Sequence, residues 1–349
     1  MLRNTSIFIP TLVRIKPGAL DRLGVYARRN HFLKVIVCHS QELDAALVER
    51  VRSSLHAEGI EVLLSTGILS SDFEHAQEIF LSLPAHADAM IAFGGGKALD
   101  VAKYVAFLSR IPFISVPTAL SNDGFCSPQS SLDYEHKKKS FPAAMPYGVV
   151  IDTEVCLKAP KILWWSGIGD LVSKITAVCD WKLAFKKNGT QIDDFSALLS
   201  DATVFQFMAR PEHDLDGIRL LGTALMLNGI AMEMCGSSRP ASGSEHLVSH
   251  ALDRISATPQ MHGIQVGMAT YLVSQLQGKG ADRIAQLFDD TGFWDVPRAT
   301  PFNQNDWVEA FRMAPGIKKD FYTILDERDC VPEIIRIIET DPRLAGLFI

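Results

Sequence analysis

The sequence has no cysteine pair spaced C-x-x-C; its six cysteines (Cys38, Cys126, Cys156, Cys179, Cys235 and Cys330) are scattered along 349 residues. That pattern reads as reduced thiols and excludes a zinc knuckle or a disulfide framework. An excess of basic charge is missing too. The net charge of −6 favours solubility and argues against a general nucleic-acid binder, which would carry a basic stripe. No apolar run is long and clean enough to cross a bilayer: the best, from Ile218 to Met232, is broken by Arg219, Gly222, Asn228 and Gly229 and reads as a buried helix. The first residues lack an uninterrupted apolar stretch followed by a small-residue cleavage site, so a cytoplasmic location is the expectation. Internal repeats and low-complexity tracts are absent. Three catalytic signatures are absent as well: H-E-x-x-H of peptidases, G-x-G-x-x-G of dinucleotide folds, and G-K-[ST] of phosphate loops.

What is present is an ordinary globular balance, 47% hydrophobic and 21% charged, in a chain long enough for two cores. Short β-branched runs at 32–38, 60–65, 88–93, 111–116 and 148–152 alternate with helical patterns at 41–57, 71–84 and 97–110. Such alternation predicts a Rossmann-like α/β domain with a parallel sheet, whose ligands bind at the carboxyl ends of the strands. From Lys158 onward strand-like runs vanish. Helical patterns follow at 162–186, 192–209, 214–235, 241–254, 261–278 and 304–314. The expectation is therefore an α/β domain over 1–158 and an all-α domain over 159–349, with a ligand site in the cleft between them.

Two stretches carry chemistry. Met90-Ile91-Ala92-Phe93 runs into Gly94-Gly95-Gly96-Lys97 and then an apolar helical pattern: strand, glycine turn, helix. Glycines admit an anion close to the backbone, and a helix start offers unpaired N–H groups, so this turn is a candidate phosphate cradle; a tight connection is the plainer reading. The next strand ends in Pro117-Thr118-Ala119-Leu120-Ser121-Asn122-Asp123-Gly124, which belongs on the same rim, and the basic segment His136-Lys137-Lys138-Lys139 comes after it. Further on, His246 and His250 stand four residues apart on one helix face, and His262 follows across the Thr258-Pro259 turn. Three histidines within seventeen residues are either metal ligands or satisfied structural groups. Asp170, in Gly167-Ile168-Gly169-Asp170, reads as sitting near a helix start, where it serves as a cap or as the oxygen ligand of an Asp-His-His set.

The segments FGGGKALDVAKYVA (93–106), PFISVPTALSNDGFCSPQSSL (112–132), KKSFPAAMPYGVVIDTEVCLKAP (138–160), GIGDLVSKITAVCDWKLA (167–184), SSRPASGSEHLVSHALD (237–253), HGIQVG (262–267) and YTIL (322–325) resemble, in order, those of sn-glycerol-1-phosphate dehydrogenases. That family lies within the superfamily of iron-containing alcohol dehydrogenases, glycerol dehydrogenases and dehydroquinate synthases. The resemblance implies a dehydroquinate synthase-like fold, with a dinucleotide-binding first domain and a helical metal- and substrate-binding second. It implies that Asp170, His246 and His262 hold a divalent metal, Zn²⁺ or else Ni²⁺ or Fe²⁺, while His250 lies beside nicotinamide and substrate. Gly94, Gly95, Gly96 and Lys97 match the pyrophosphate turn; Asp100, Thr118, Ser121, Ser127 and Lys139 match other cofactor contacts; Asp123 matches the acid that holds the substrate hydroxyl.

The implied reaction is reduction of dihydroxyacetone phosphate, a small phosphorylated triose, by NADH or NADPH in a homo-oligomer. The rivals are a polyol dehydrogenase, a dehydroquinate-synthase-like lyase, and a binding protein without catalysis. Two departures from the family pattern stand out. The segment Cys38-His39-Ser40-Gln41 lacks the acid that selects NAD, so NADP meets no repulsion. Lys318-Lys319-Asp320-Phe321 stands where the family often has an arginine before YTIL, which leaves open which basic group holds the substrate phosphate; Arg239 is one candidate.

Overall fold

The computed structural model describes residues 7–135 and 137–349; His136 of the basic segment and the first six residues lie outside them. Two compact units emerge, one reaching to Ala159 and adding Asp214–Met234, the other formed by Pro160–His213 and Cys235–Ile349.

The first unit holds a six-stranded parallel sheet of β1 (Leu12–Lys16), β2 (Lys34–Ser40), β3 (Glu61–Ile68), β4 (Ala89–Gly94), β5 (Phe113–Pro117) and β8 (Gly148–Asp152), in the order β1-β8-β5-β4-β2-β3. Strands β4, β5 and β8 are buried at every position, which is why they read as unbroken apolar runs: a central parallel strand is covered on both faces. β6 (Gln129–Tyr134) and β7 (Lys137–Pro142) form a separate antiparallel hairpin. Neither hairpin strand nor the edge strand β1 is expected from the pattern. β7 begins with three lysines that a solvated charge run explains equally well, and only pairing with β6 makes them a strand.

The helix Leu215–Cys235 packs with this first unit, although a single cut near residue 158 assigns it to the second. A Cβ on its Gly229 would stand 1.6 Å from the Cys126 carbonyl oxygen, so the glycine permits contact with the loop after β5. This helix is long and apolar enough to cross a membrane by composition, yet Ile218, Leu221, Leu225 and Ala231 are buried in protein.

The second unit is helical apart from a single parallel bridge between Phe302 and Phe348, with Lys161–Val172, Lys174–Asn188, Asp194–Met208, Ser244–Ile255 and His262–Leu276 as its main elements. The expected helix over 162–186 divides at Ser173, whose hydroxyl donates to the Asp170 carbonyl at 2.7 Å. Asp170 therefore lies in the last turn of a helix and not near a start, so capping does not explain it.

Candidate active site

All six sheet strands are parallel, so their carboxyl ends share one rim. From β2 the chain runs outward to β3 and returns to β4 on the opposite side of β2, which puts the reversal of strand order between β2 and β4. Ligands of open α/β sheets bind at such a point. The glycine turn sits there. Gly94 has φ +142°, and a Cβ on it would meet the Ser40 hydroxyl oxygen at 2.2 Å, so the backbone demands glycine. Ser40, at the end of β2, in turn accepts from the Gly95 N–H at 3.0 Å. Gly95 and Gly96 are different: the nearest atom to an added Cβ is 4.0 Å away in each case. Among the described residues nothing fills that space, and the helix Gly96–Ser109 starts there without a side-chain cap. Open space at two glycines beside uncapped N–H groups fits a pyrophosphate.

The other rim candidates divide. The Thr118 N–H donates to the Gly94 carbonyl at 3.1 Å, and Asn122 is the nearest group to a Cβ on Gly96; Ser121 and Asp123, both half-buried, flank Asn122 in the same loop. Lys97 is exposed in the helix's first turn. Asp100 pairs with Lys103 at 3.1 Å; burial raises its carboxyl above the usual range while Lys103, and to a lesser degree Lys138, pull it down. From the hairpin, then, it is Lys138 whose charge acts on Asp100. Lys139 lies over the Tyr134 ring at 4.2 Å and pairs with Glu135 at 3.5 Å. Ser127 is buried, and its hydroxyl lies within hydrogen-bond reach of the Gly124 and Gln129 carbonyls and of Lys103, inside the loop.

In the second unit the helix Lys161–Val172 crosses His262–Leu276 at glycines: a Cβ on Gly169 would stand 1.9 Å from the Gly263 carbonyl oxygen. That close crossing sets Asp170, the next residue, beside His262. The Ser244–Ile255 helix brings His246. Ligand atoms of Asp170, His246 and His262 all lie within 4.8 Å of one another, with His246 Nε2 3.4 Å and His262 Nε2 3.9 Å from the same Asp170 oxygen, Oδ1. Asp170 is 1% exposed and His262 28%, so the group opens on the His262 side.

The surroundings hold each member. His246 Nδ1 meets Glu245 at 2.9 Å, and that buried carboxylate accepts from Thr176 and from the Gly243 N–H. Ser249 meets His262 Nδ1 at 3.2 Å and is held by Gln265. Lys174 pairs with the other Asp170 oxygen at 3.6 Å. Burial alone would raise the Asp170 carboxyl, but Lys174, His246 and His262 outweigh it and hold it well below the usual range. A carboxylate backing a histidine, with the second nitrogen turned to a shared centre, is the way proteins prepare metal ligands. Two imidazoles and one carboxylate suit a divalent transition metal and leave a position open. His250 is not among these ligands; its ring stacks on His262 with centroids 5.9 Å apart.

Residue-level reading misses several supporting groups: Ser40, Lys103, Thr176 and Lys318. Lys174 has a legible signal, standing four residues after Asp170 on one helix. Lys318 lies in the segment that stands where the family often has an arginine before YTIL, but only folding carries it to Arg239. There the Phe321 ring takes the Arg239 guanidinium at 3.7 Å and the Lys318 ammonium at 4.0 Å, while Arg239 Nη1 donates to the Tyr322 carbonyl. Partial burial, then the like charge of Arg239, pull Lys318 below its usual pKa. Asp180 ties the motif segments together by accepting from the Ser244 and Ile324 N–H groups.

Residues 14–160 match the family model described as iron-containing alcohol dehydrogenase. The solved glycerol dehydrogenase of Schizosaccharomyces pombe superposes with a TM-score of 0.75 at 17% identity, covering 98% of this chain and 91% of that one. The fold is thus that of the iron-containing alcohol dehydrogenases. The chain is also 36% identical over 336 residues to the glycerol-1-phosphate dehydrogenase (NAD(P)+) of Aeropyrum pernix, covering 94% of this chain and 95% of the relative. It is 40% identical to that of Cenarchaeum symbiosum over 68% of each chain. This chain belongs to the glycerol-1-phosphate dehydrogenase family.

Proposed function

We propose that this protein is a metal-dependent, NAD(P)-linked dehydrogenase that interconverts dihydroxyacetone phosphate and sn-glycerol 1-phosphate. The observation that carries the reading is the convergence of His246 and His262 on one oxygen of the buried Asp170 in a member of this family. Asp170, His246 and His262 would hold the metal, with Zn²⁺ the best match to two imidazoles and a carboxylate. Bound there, it supplies Lewis-acid polarisation of a carbonyl, and NADH or NADPH supplies the hydride.

The chain's own groups do the rest. Gly95, Gly96 and the helix start behind Lys97 bind the pyrophosphate, Ser40 holding the turn in shape. No acid stands in the Cys38–Gln41 segment, so both NAD and NADP are accepted. Glu245 keeps the proton on His246 Nδ1 and leaves Nε2 as the donor atom. Asp123 orients the substrate hydroxyl, and His250 steadies the substrate from its stack on His262. Arg239 and Lys318, two cations on one ring, take the substrate phosphate.

A spectrophotometric screen of dihydroxyacetone phosphate, dihydroxyacetone and glycerol with NAD(H) and NADP(H) tests this. Dihydroxyacetone phosphate is expected to be the preferred ketone. Oxidation of glycerol without turnover of the phosphorylated ketone would replace the reading with a polyol dehydrogenase; phosphate release with no net nicotinamide change would replace it with a lyase. Lys318→Ala is expected to raise KM for dihydroxyacetone phosphate about tenfold or more, the scale of one charge-assisted contact, and to leave turnover of unphosphorylated dihydroxyacetone unchanged.

A further inference from the structure

Asp180, in the helix Lys174–Asn188 of the second unit, is fully buried and bonded on both oxygens. Oδ2 accepts from the Ser244 N–H at 2.7 Å and from the Ser244 hydroxyl at 2.6 Å. Ser244 opens the helix that carries His246 two residues on. Oδ1 accepts from the Ile324 N–H and from the Gln277 amide, each at 3.0 Å. Ile324 closes the segment that gathers the two cations: the Phe321 ring takes Arg239 and Lys318, and the Tyr322 carbonyl accepts from Arg239. A carboxylate is costly to bury unless its lone pairs are filled, and here four donors from three distant segments fill them. One oxygen therefore serves the helix of a metal ligand, and the other serves the segment of the cations.

We propose that Asp180 is a positioning residue that sets the span between the metal group and the two cations, and so makes the site select a phosphorylated three-carbon ketone over the free one. The inference rests on Arg239 and Lys318 taking the substrate phosphate, as proposed above. A substrate that bridges two fixed points gains from its second contact when both are in reach at once, and a misplacement of about 1 Å can cost roughly a hundredfold. The turn after Tyr322 does not locate itself. Its capping box, in which Thr323 bonds the Leu325 N–H and the Asp326 carboxylate, gives it shape, while the bond from Asp180 places it relative to Ser244. The approach at the other end is equally close: a Cβ on Gly243 would stand 2.8 Å from Asp180 Oδ2. Asp180 also acts on Arg239 through its charge, opposing the burial that lowers the guanidinium pKa.

Ile324→Pro isolates one arm of the span. Residue 324 is the first of its helix, where proline fits, and Thr323 before it is extended (φ −140°, ψ −178°), as a residue preceding proline prefers. The substitution deletes the N–H that Asp180 accepts and leaves both bonds to Ser244 in place. Steady-state kinetics of the full chain with metal and cofactor, and Zn²⁺ titration against a competing chelator, are the measurements. KM for dihydroxyacetone phosphate is expected to rise about tenfold with kcat within about threefold, while kcat/KM for dihydroxyacetone and Zn²⁺ affinity stay within about threefold. Ile324→Ala keeps the N–H and is expected to match the wild type. Asp180→Asn sets an amide N–H against a donor on one arm or the other, so the preference for the phosphorylated ketone is expected to fall about tenfold. An unchanged KM in Ile324→Pro overturns the proposal, as does an equal loss in Ile324→Ala or a parallel fall with both ketones. Asp180→Asn with its preference intact overturns it too. A wild type that shows no preference for the phosphorylated ketone would instead remove the reading of Arg239 and Lys318 as the phosphate site, and this inference with it.

Discussion

At the scale of the residue, His246 lies between two carboxylates, those of Asp170 and Glu245. Burial works against charge on the ring, but the bonds to Asp170 and Glu245 outweigh it and push its pKa up to about 9. The folded value exceeds that of an unfolded histidine, near 6.5. In chelated protein this group's stabilisation is therefore complete below about pH 6.5 and is lost as pH rises through about 9. Metal binding must displace the proton, so apparent affinity should climb by up to tenfold per pH unit between those values. Titration with Zn²⁺ against a competing chelator from pH 6 to 9 measures the slope, and a flat profile would show that His246 enters the reaction neutral. Glu245→Gln should make the slope shallower, since it removes one of the two carboxylates that favour the proton.

At the scale of the element, the three glycines after β4 look alike in the sequence but differ in what they do. Gly94 answers to the protein: its φ of +142° and the nearness of Ser40 leave no room for a side chain. Gly95 is under no such demand, because its backbone suits any residue and its Cβ would point into open space, the room our proposed function gives to the pyrophosphate. Gly94→Ala should consequently lower Tm by several degrees, as a steric clash at a strained position does. Gly95→Val should leave Tm within a degree or two while weakening NADPH binding tenfold or more. Thermal melts and fluorescence titrations of the two variants make the comparison. Equal losses of stability in both would mean that the turn serves only the fold.

At the scale of the whole molecule, the glycine turn proposed to bind the pyrophosphate belongs to one compact unit and the Asp170-His246-His262 group to the other. Removing the metal should thus abolish turnover while leaving NADPH affinity within about twofold, since the turn is held within its own unit by Ser40. Dialysis against a chelator, followed by activity assays and cofactor titration on one sample, checks this, with activity returning on addition of Zn²⁺. Full activity in chelated protein would remove the metal from the mechanism.

The parallel sheet and the helical half were legible because buried parallel strands are unbroken apolar runs and amphipathic helices repeat every three to four residues. The glycine turn was legible because only glycine permits that backbone, and the histidine pair because four residues make one helical turn. Other features depend on long-range contact and leave no local trace. β1 and β7 are strands only because a neighbour pairs with them. The Leu215–Cys235 helix joins the first unit through its contact at Gly229, which no periodicity reports. The position of Asp170 is the clearest case. Its own segment resembles a helix start, whereas the crossing of Gly169 over Gly263 puts it in a last turn against His262. The sequence determined which residues carry chemistry, through side-chain type and local spacing. Tertiary packing decided which of them meet, because only backbone contacts between distant segments bring Asp170 to His246 and Lys318 to Arg239.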